Sequence, residues 1–315
     1  MLEAKHLTKV FADFRAVDDI SFEIGQGQCI GLLGLNGAGK TTLLRMLACL
    51  LSPTSGTARV DGADVTEDSL GVRRRIGFLP ENPPLYGEMP VDRFLAFAAR
   101  LRGVAEAEVE GRVSEALRRC QLEAVAGQTI ETLSYGYKKR VGIAQAIVHA
   151  PPLVLLDEPI AGLDPAQIVE MRALIRALSG AHTLLLSSHI LTEISQTCDR
   201  ILVMHKGRIA AQGREDELTR KARLGVKLRV KGSREKLEAA VRGLPGVQGL
   251  TLGESQGDIL EARLECQDDV RPAVAAAVVG AGLGLLELTE ASLALEAVFL
   301  SLTGQAAGAA REVRA

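Results

Sequence analysis

The chain has 315 residues and a mass of 33.5 kDa, more than one average domain and less than three, so two domains are expected. Lys and Arg total 37 against 39 Asp and Glu, a net charge of -2, which argues against a protein that coats nucleic acid with a basic surface. Aromatics are only 3% and Trp is absent, so base-stacking platforms for single strands are not expected either.

The N-terminal residues MLEAKHLTKVF carry charges where a secretory signal needs an apolar core. Residues 1 to about 25 alternate in the manner of strands, with a turn near Ala12 and Asp13. Gln28 to Leu33 is a short apolar run suited to a buried strand, and it ends in a glycine-rich loop. A helix pattern, TTLLRMLACLL, follows and is closed by Ser52-Pro53-Thr54-Ser55-Gly56. Thr57 to Val65 reads as a strand folded at Asp61-Gly62, and Ile76 to Leu79 as another short strand. After a Pro-rich loop, residues 91 to about 126 show apolar positions three and four apart, which predicts helical structure.

Leu153 to Leu156 and Thr183 to Leu186 are uniformly apolar strands, preceded by helices over Tyr135–His149 and 166–178. Ile201–Met204 and Gly207–Ala211 form a hairpin pattern. Apolar strands alternating with helices indicate a mostly parallel sheet covered on both faces. The composition shifts to a charged connector near Gly213–Arg223. Beyond it the order is strand (Val226–Val230), helix (Arg234–Leu244), strands (Gln248–Leu252, Asp258–Leu264), helix (Val270–Gly280), strand (Leu283–Leu288) and helix (Ser292–Thr303). That order suits a small α+β domain of the split β-α-β kind. The expected division is thus 1–220 and 221–304, with a helical part at about 85–150 and a frayed tail at 305–315. The uncharged, strongly apolar run Pro272–Leu286 is too short for a membrane span and holds three glycines. Five scattered cysteines without CxxC spacing read as buried, reduced thiols.

Gly34-Leu35-Asn36-Gly37-Ala38-Gly39-Lys40-Thr41-Thr42 fits the P-loop pattern, between a buried strand and a helix. Its glycines let successive backbone N–H groups turn toward phosphate oxygens, and the helix N-terminus adds a positive dipole end. Lys40 is then expected at the β- and γ-phosphates and Thr41 on Mg²⁺. The second signal is Leu153-Val154-Leu155-Leu156-Asp157-Glu158, an apolar strand that delivers carboxylates to the same sheet edge. Paired with the P-loop it reads as a Walker B element, with Asp157 on Mg²⁺ and Glu158 polarising the attacking water.

Between these motifs stands Leu133-Ser134-Tyr135-Gly136-Tyr137, running into the helix KKRVGIAQAIVHAP. It resembles the signature motif of ATP-binding-cassette (ABC) ATPases, usually LSGGQ. Ala161-Gly162-Leu163-Asp164 resembles that family's D-loop, and Ser187-Ser188-His189 its switch histidine. Phe11 falls where the family places an adenine-stacking aromatic. The resemblance covers roughly residues 2 to 215. It implies an ABC-type P-loop fold with antiparallel β and helical subdomains, and ATP hydrolysis with Mg²⁺. It also implies a head-to-tail homodimer in which Ser134 and Gly136 of one subunit close on the γ-phosphate held by the other.

Two departures from the family pattern stand out. Tyr135 and Tyr137 replace the usual Gly and Gln of the signature, while Ser134 and Gly136 remain. Glu81 occupies the Q-loop position, where a carboxylate can still reach Mg²⁺. Arg73-Arg74-Arg75 is read as a solvated basic face rather than a nucleic-acid site. The ending LEAVFLSLTG is similar to the C-terminal segment of stand-alone cassettes serving type-2 permeases. In those transporters the Pro80–Pro90 stretch and the helix after it meet the permease. The reading is therefore a transporter ATPase subunit, peripheral on the cytoplasmic face of the plasma membrane, that pairs with a separate permease and exports. The alternatives are a soluble ABC ATPase acting on nucleic acid or ribosomes, and a P-loop kinase, which the signature and D-loop oppose.

Overall fold

The computed structural model describes residues 1–220, 224–266 and 269–291. The chain divides into two compact units, Met1–Gly213 and a second beginning at Arg214. The expected helix over Ser292–Thr303 and the expected tail lie outside the described residues.

The first unit opens with an antiparallel hairpin, β1 (Leu2–Phe11) and β2 (Phe14–Ile24), turning at Ala12 and Asp13. With β4 (Ser55–Val60) and β5 (Ala63–Asp64) it forms a four-stranded sheet in the order β2-β1-β4-β5. The central sheet is built from β3 (Cys29–Leu33), β6 (Ile76–Leu79), β7 (Leu153–Asp157), β8 (Thr183–Ser188), β9 (Arg200–His205) and β10 (Arg208–Gly213). Its order is β10-β9-β3-β8-β7-β6, parallel throughout except for β10 at the edge. Every residue of β3, β7 and β8 is buried, as expected of parallel strands covered on both faces. One core runs between the two sheets, holding Leu7, Val17 and Ile20 of the hairpin against Ile30, Leu32 and Leu155.

Helix α1 (Lys40–Leu47) leaves the loop after β3, and α2 (Ser69–Arg75) starts at Asp68, whose side chain caps Gly71 N. The arginine run is therefore the last turn of a short helix, where cations oppose the negative dipole end. The stretch expected to be helical over 91–126 is divided into α3 (Val91–Leu101), α4 (Glu106–Arg119) and a short 3-10 turn. The break falls at Gly103, whose φ of 81° an L side chain rarely adopts. Helix α5 (Tyr135–Ile147) packs on α3, α4 and β6, and α6 (Pro165–Leu178) follows β7. A short helix, α7 (Leu191–Ser195), lies against β3, where Gly31 permits the approach: a Cβ there would sit 2.3 Å from Ile194 Cγ2.

The second unit begins with α8 (Glu215–Arg220), the charged connector of the sequence. It continues as β11 (Leu224–Lys231), α9 (Arg234–Val241), β12 (Val247–Gln256), β13 (Ile259–Cys266), α10 (Arg271–Gly280) and β14 (Gly284–Ala291). The sheet is antiparallel in the order β12-β13-β11-β14, the split β-α-β arrangement. Its own core includes Val226, Leu228, Leu237, Leu264, Val274 and Val278. Among the described residues no helix is long and apolar enough to cross a membrane.

Candidate active site

The carboxyl ends of β3, β7 and β8 lie side by side, because β8 pairs with β3 on one flank and β7 on the other. A pocket of about 290 Å³ opens there, lined by residues 36–42, Glu81, Glu158, Ala161 and His189, with Phe14 and Ala16 of β2. Such an edge is where parallel α/β sheets bind ligands.

The loop after β3 presents Asn36, Gly37, Ala38, Gly39, Lys40, Thr41 and Thr42 to this pocket. Gly39 has a φ of 104°, and an added Cβ would meet Ala16 O at 2.2 Å, so only glycine fits. Gly34 and Leu35 stand behind the lining, and their carbonyls accept from Lys40 Nζ at 2.7 and 3.4 Å. Lys40 Nζ also lies 3.4 Å from Glu158 Oε1, and both side chains are buried. The only cation reaching that carboxylate from the loop is thus the lysine that the P-loop pattern singles out.

Asp157 ends β7 with one oxygen accepting from Thr41 Oγ1 at 3.2 Å and from Ser187 Oγ at 2.7 Å. Glu158 follows at φ 48°, a left-handed conformation that costs a non-glycine residue about 1 kcal/mol or more. The surroundings hold it there. Its N–H donates to Ser187 Oγ at 3.0 Å, and its carbonyl accepts from Lys139 Nζ at 3.4 Å. Its carboxylate lies 3.0 Å from His189 Nδ1. Glu81 lines the pocket opposite, and its carbonyl accepts from the same Lys139 Nζ at 2.5 Å.

Three supporting residues were not picked out by sequence reasoning. Lys139 is almost fully buried inside α5, and burial pushes its ammonium below the usual lysine range. In the sequence it stands between Lys138 and Arg140, in a basic run that gives no signal of burial. Ser187 was read only as part of the histidine motif, yet it ties Asp157 to the Glu158 backbone. Glu193 of α7 is buried and accepts from Ser188 Oγ at 2.5 Å, while Ser188 Oγ accepts from Ile190 N. These bonds fix the segment that carries His189.

Phe11 ends β1 at the tip of the hairpin. It pairs with Phe14 across the hairpin, half exposed, with Lys9 Nζ 5.2 Å from its ring centroid, and it stands outside the lining. Phe14 lines the pocket. Cross-strand partners share a sheet face, so two aromatic rings lie on one face at the hairpin tip. Ser134, Gly136 and Asp164 also lie outside this pocket. Ser134 is the exposed N-cap of α5, accepting from Tyr137 N, and Gly136 is buried against Gln167. Asp164 caps α6 by accepting from Gln167 N at 2.9 Å.

The pocket combines a glycine-rich loop, a buried lysine and a carboxylate, on a residue of left-handed backbone, beside a histidine. The hard oxygens of Thr41, which lines the pocket, and of Asp157 lie 3.2 Å apart, a donor set that suits Mg²⁺ completed by phosphate oxygens and water. A family model described as ABC transporter matches residues 17–161. An uncharacterised ABC transporter ATP-binding protein of Bacillus subtilis, YxlF, is 38% identical over 79% of this chain and 82% of its own length. The daunorubicin/doxorubicin resistance ATP-binding protein DrrA of Streptomyces peucetius is 37% identical, covering 97% of this chain and 93% of its own. A solved structure of an ATP-binding subunit of an ABC transporter superposes with a TM-score of 0.63 at 33% identity, over 70% of this chain and 92% of that one. The chain therefore belongs to the ABC transporter ATP-binding proteins and is the ATP-hydrolysing subunit of such a transporter.

Proposed function

We propose that two copies of this chain close head to tail on ATP and drive a separate polytopic permease that exports its substrate. In this reading the phosphates lie in the cradle of Gly34 to Thr42, and Lys40 neutralises the β- and γ-phosphate charge. Thr41 and Asp157 would hold Mg²⁺, with Glu81 facing the same site; bound there, the ion offsets the charge on the phosphate oxygens. Glu158 accepts the proton of the attacking water, and His189 orients that carboxylate and reaches toward the γ-phosphate. Phe14, with Phe11 beside it, gives the adenine a face to stack on.

The observation that carries the dimer is the position of Ser134 and Gly136. They begin the 13-residue helix α5, whose free N–H groups form an anion site, yet they stand outside the pocket that holds Lys40 and Glu158. That helix end is available to a phosphate held by a second chain, with Asp164 at the same interface. Export is supported by relatives named for resistance to daunorubicin, linearmycin and similar compounds. The chain would then sit on the cytoplasmic face of the plasma membrane through its permease.

The test is affinity purification of tagged Glu158→Gln from native membranes, with and without ATP and Mg²⁺. The expected result is a polytopic membrane protein recovered in stoichiometric amount. Ribosomes or nucleic acid recovered without a membrane protein would replace the transport reading with a soluble one.

A further inference from the structure

Tyr135 stands where the signature usually has Gly, and it lies outside the nucleotide pocket. It is the first residue of α5, directly after the Ser134 cap, and about half of it is exposed. One turn further on, at the four-residue spacing that puts two side chains on one helix face, is the buried Lys139. Lys139 Nζ lies 5.6 Å from the centroid of the Tyr135 ring, within the range over which a ring face attracts a cation. The ring also lies against the segment that follows Glu158. A Cβ built on Gly162 would stand 3.1 Å from Tyr135 Cε1 and 3.5 Å from its hydroxyl oxygen. Gly162 has a φ of 80°, so both its backbone and the ring beside it require glycine.

These contacts converge on one atom, the carbonyl oxygen of Glu158. It accepts from Ala161 N at 3.3 Å, in the turn that leads to Gly162, and from Lys139 Nζ at 3.4 Å. Tyr135 joins the two donors from outside, with Gly162 against its edge and the Lys139 ammonium over its ring. Among the described residues no carboxylate pairs with Lys139; it has the carbonyls of Glu81 and Glu158 and this ring. An ammonium held away from water by neutral groups is costly to keep in place, and a ring face adds attraction without adding a second charge. The glycine usual at this point of the signature has no side chain to do so.

We infer that Tyr135 is a positioning residue for ATP hydrolysis: its ring holds the Lys139 ammonium against the Glu158 carbonyl and braces the Gly162 turn, so that the Glu158 carboxylate keeps its place. This rests on the reading above in which Glu158 accepts the proton of the attacking water, and it adds a residue that acts on Glu158 from the signature segment. Ligand binding at the start of α5 and the setting of Glu158 are thereby tied through one side chain.

The test replaces Tyr135 in the full chain by Phe, by phenylalanine analogues of rising fluorine content and by Leu, and reads steady-state phosphate release against ATP concentration. Fluorine withdraws negative charge from the ring face while nearly keeping its shape, so the series probes the cation contact without emptying the site. Tyr135→Phe should keep kcat within about twofold of the wild-type value, because the ring face remains. The fluorinated rings should lower kcat stepwise, and Tyr135→Leu should lower it about fivefold while KM for ATP moves less than about twofold. In a Lys139→Met background, where no ammonium remains to be held, adding Tyr135→Leu should lower kcat by less than about twofold. A kcat indifferent to fluorine, or a Tyr135→Leu loss of equal factor in both backgrounds, would overturn the inference. So would a raised KM with kcat intact, which would put the ring on the nucleotide of a second chain instead. Glu158→Gln, assayed in parallel, separates the inference from its premise. Rapid hydrolysis by that variant would remove the role of Glu158 and the inference with it, whereas an inactive Glu158→Gln beside a flat fluorine series would overturn the inference alone.

Discussion

Glu158 is held in a left-handed conformation by partners from three directions, the Ser187 hydroxyl, the Lys139 ammonium and the Lys40–His189 pair flanking its carboxylate. Lys139 is the least expected of these, because it spends a buried charge on two backbone carbonyls, those of Glu81 and Glu158. It lies outside the pocket lining, so its removal should disturb the carboxylate and spare nucleotide contacts. Lys139→Met is therefore expected to lower kcat by about tenfold while KM for ATP changes by less than about threefold. Steady-state phosphate release against ATP concentration separates the two, and a rise in KM with kcat intact would refute the positioning role. Phe14 makes a second residue-scale prediction. Base–aromatic stacking contributes about 1–3 kcal/mol, so Phe14→Ala should weaken ATP binding by about tenfold, with Phe11→Ala costing less. Calorimetry on the two single variants decides which ring carries the base.

The elements that position this site are of two kinds, and they differ in how plainly the sequence announces them. Strands β3, β7 and β8 are unbroken apolar runs with buried residues throughout, so their existence and their catalytic ends were legible. Helix α5 was legible as a helix, but its burial was not. Gly136, Lys139, Arg140, Ile143 and Ile147 are all buried, and a helix enclosed on several sides has no single apolar face that periodicity can report. Hence nothing in the pattern sets Lys139 apart from its neighbours Lys138 and Arg140. The hairpin tip is ambiguous for a different reason: an aromatic on each side of a two-residue turn gives no sequence cue to which ring lines the pocket. The contact of Cys29 with Cys198, 3.7 Å apart across 169 positions, is likewise a product of tertiary folding alone.

Short α7 illustrates how an element too small to predict can still be tested. Glu193, buried in it, has its carboxyl pushed above the usual range by burial, partly offset by the Ser188 hydroxyl. A carboxyl whose folded pKa is raised binds its proton more tightly in the native state. Its contribution is therefore fully present below the unfolded value of about 4.5 and is lost as pH rises through the folded one. Compared with Glu193→Gln, the wild-type chain should lose stability over that rise, so the difference in Tm between the two should widen with pH and then level off. A difference constant from acid to neutral pH would show that Glu193 titrates as an ordinary carboxyl.

At the scale of the whole molecule, the family match covers residues 17–161, whereas the DrrA relative aligns over 97% of the chain. The second unit is thus shared with a full-length relative rather than appended to this chain alone. The first unit, for its part, places Lys40 in the pocket and Ser134 at an exposed helix start outside it. A two-fold dimer built head to tail would bring each Lys40 to the other chain's Ser134, giving two composite sites per dimer. That arrangement has a consequence that no monomeric site shares. Lys40→Ala removes the phosphate cation and Ser134→Arg blocks the helix end, so either variant alone forms two defective sites and should be inactive. In a mixed dimer both lesions fall in one site, and the other combines an intact Lys40 with an intact Ser134. An equal mixture holds about half its dimers in this form, so about a quarter of all sites, and about a quarter of the wild-type ATPase rate if sites act independently, should return. Mixing the two purified inactive variants and following phosphate release measures this directly. Activity that stays at the level of the separate variants, with mixed dimers demonstrated by differential tagging, would mean that Ser134 serves its own chain or no phosphate at all.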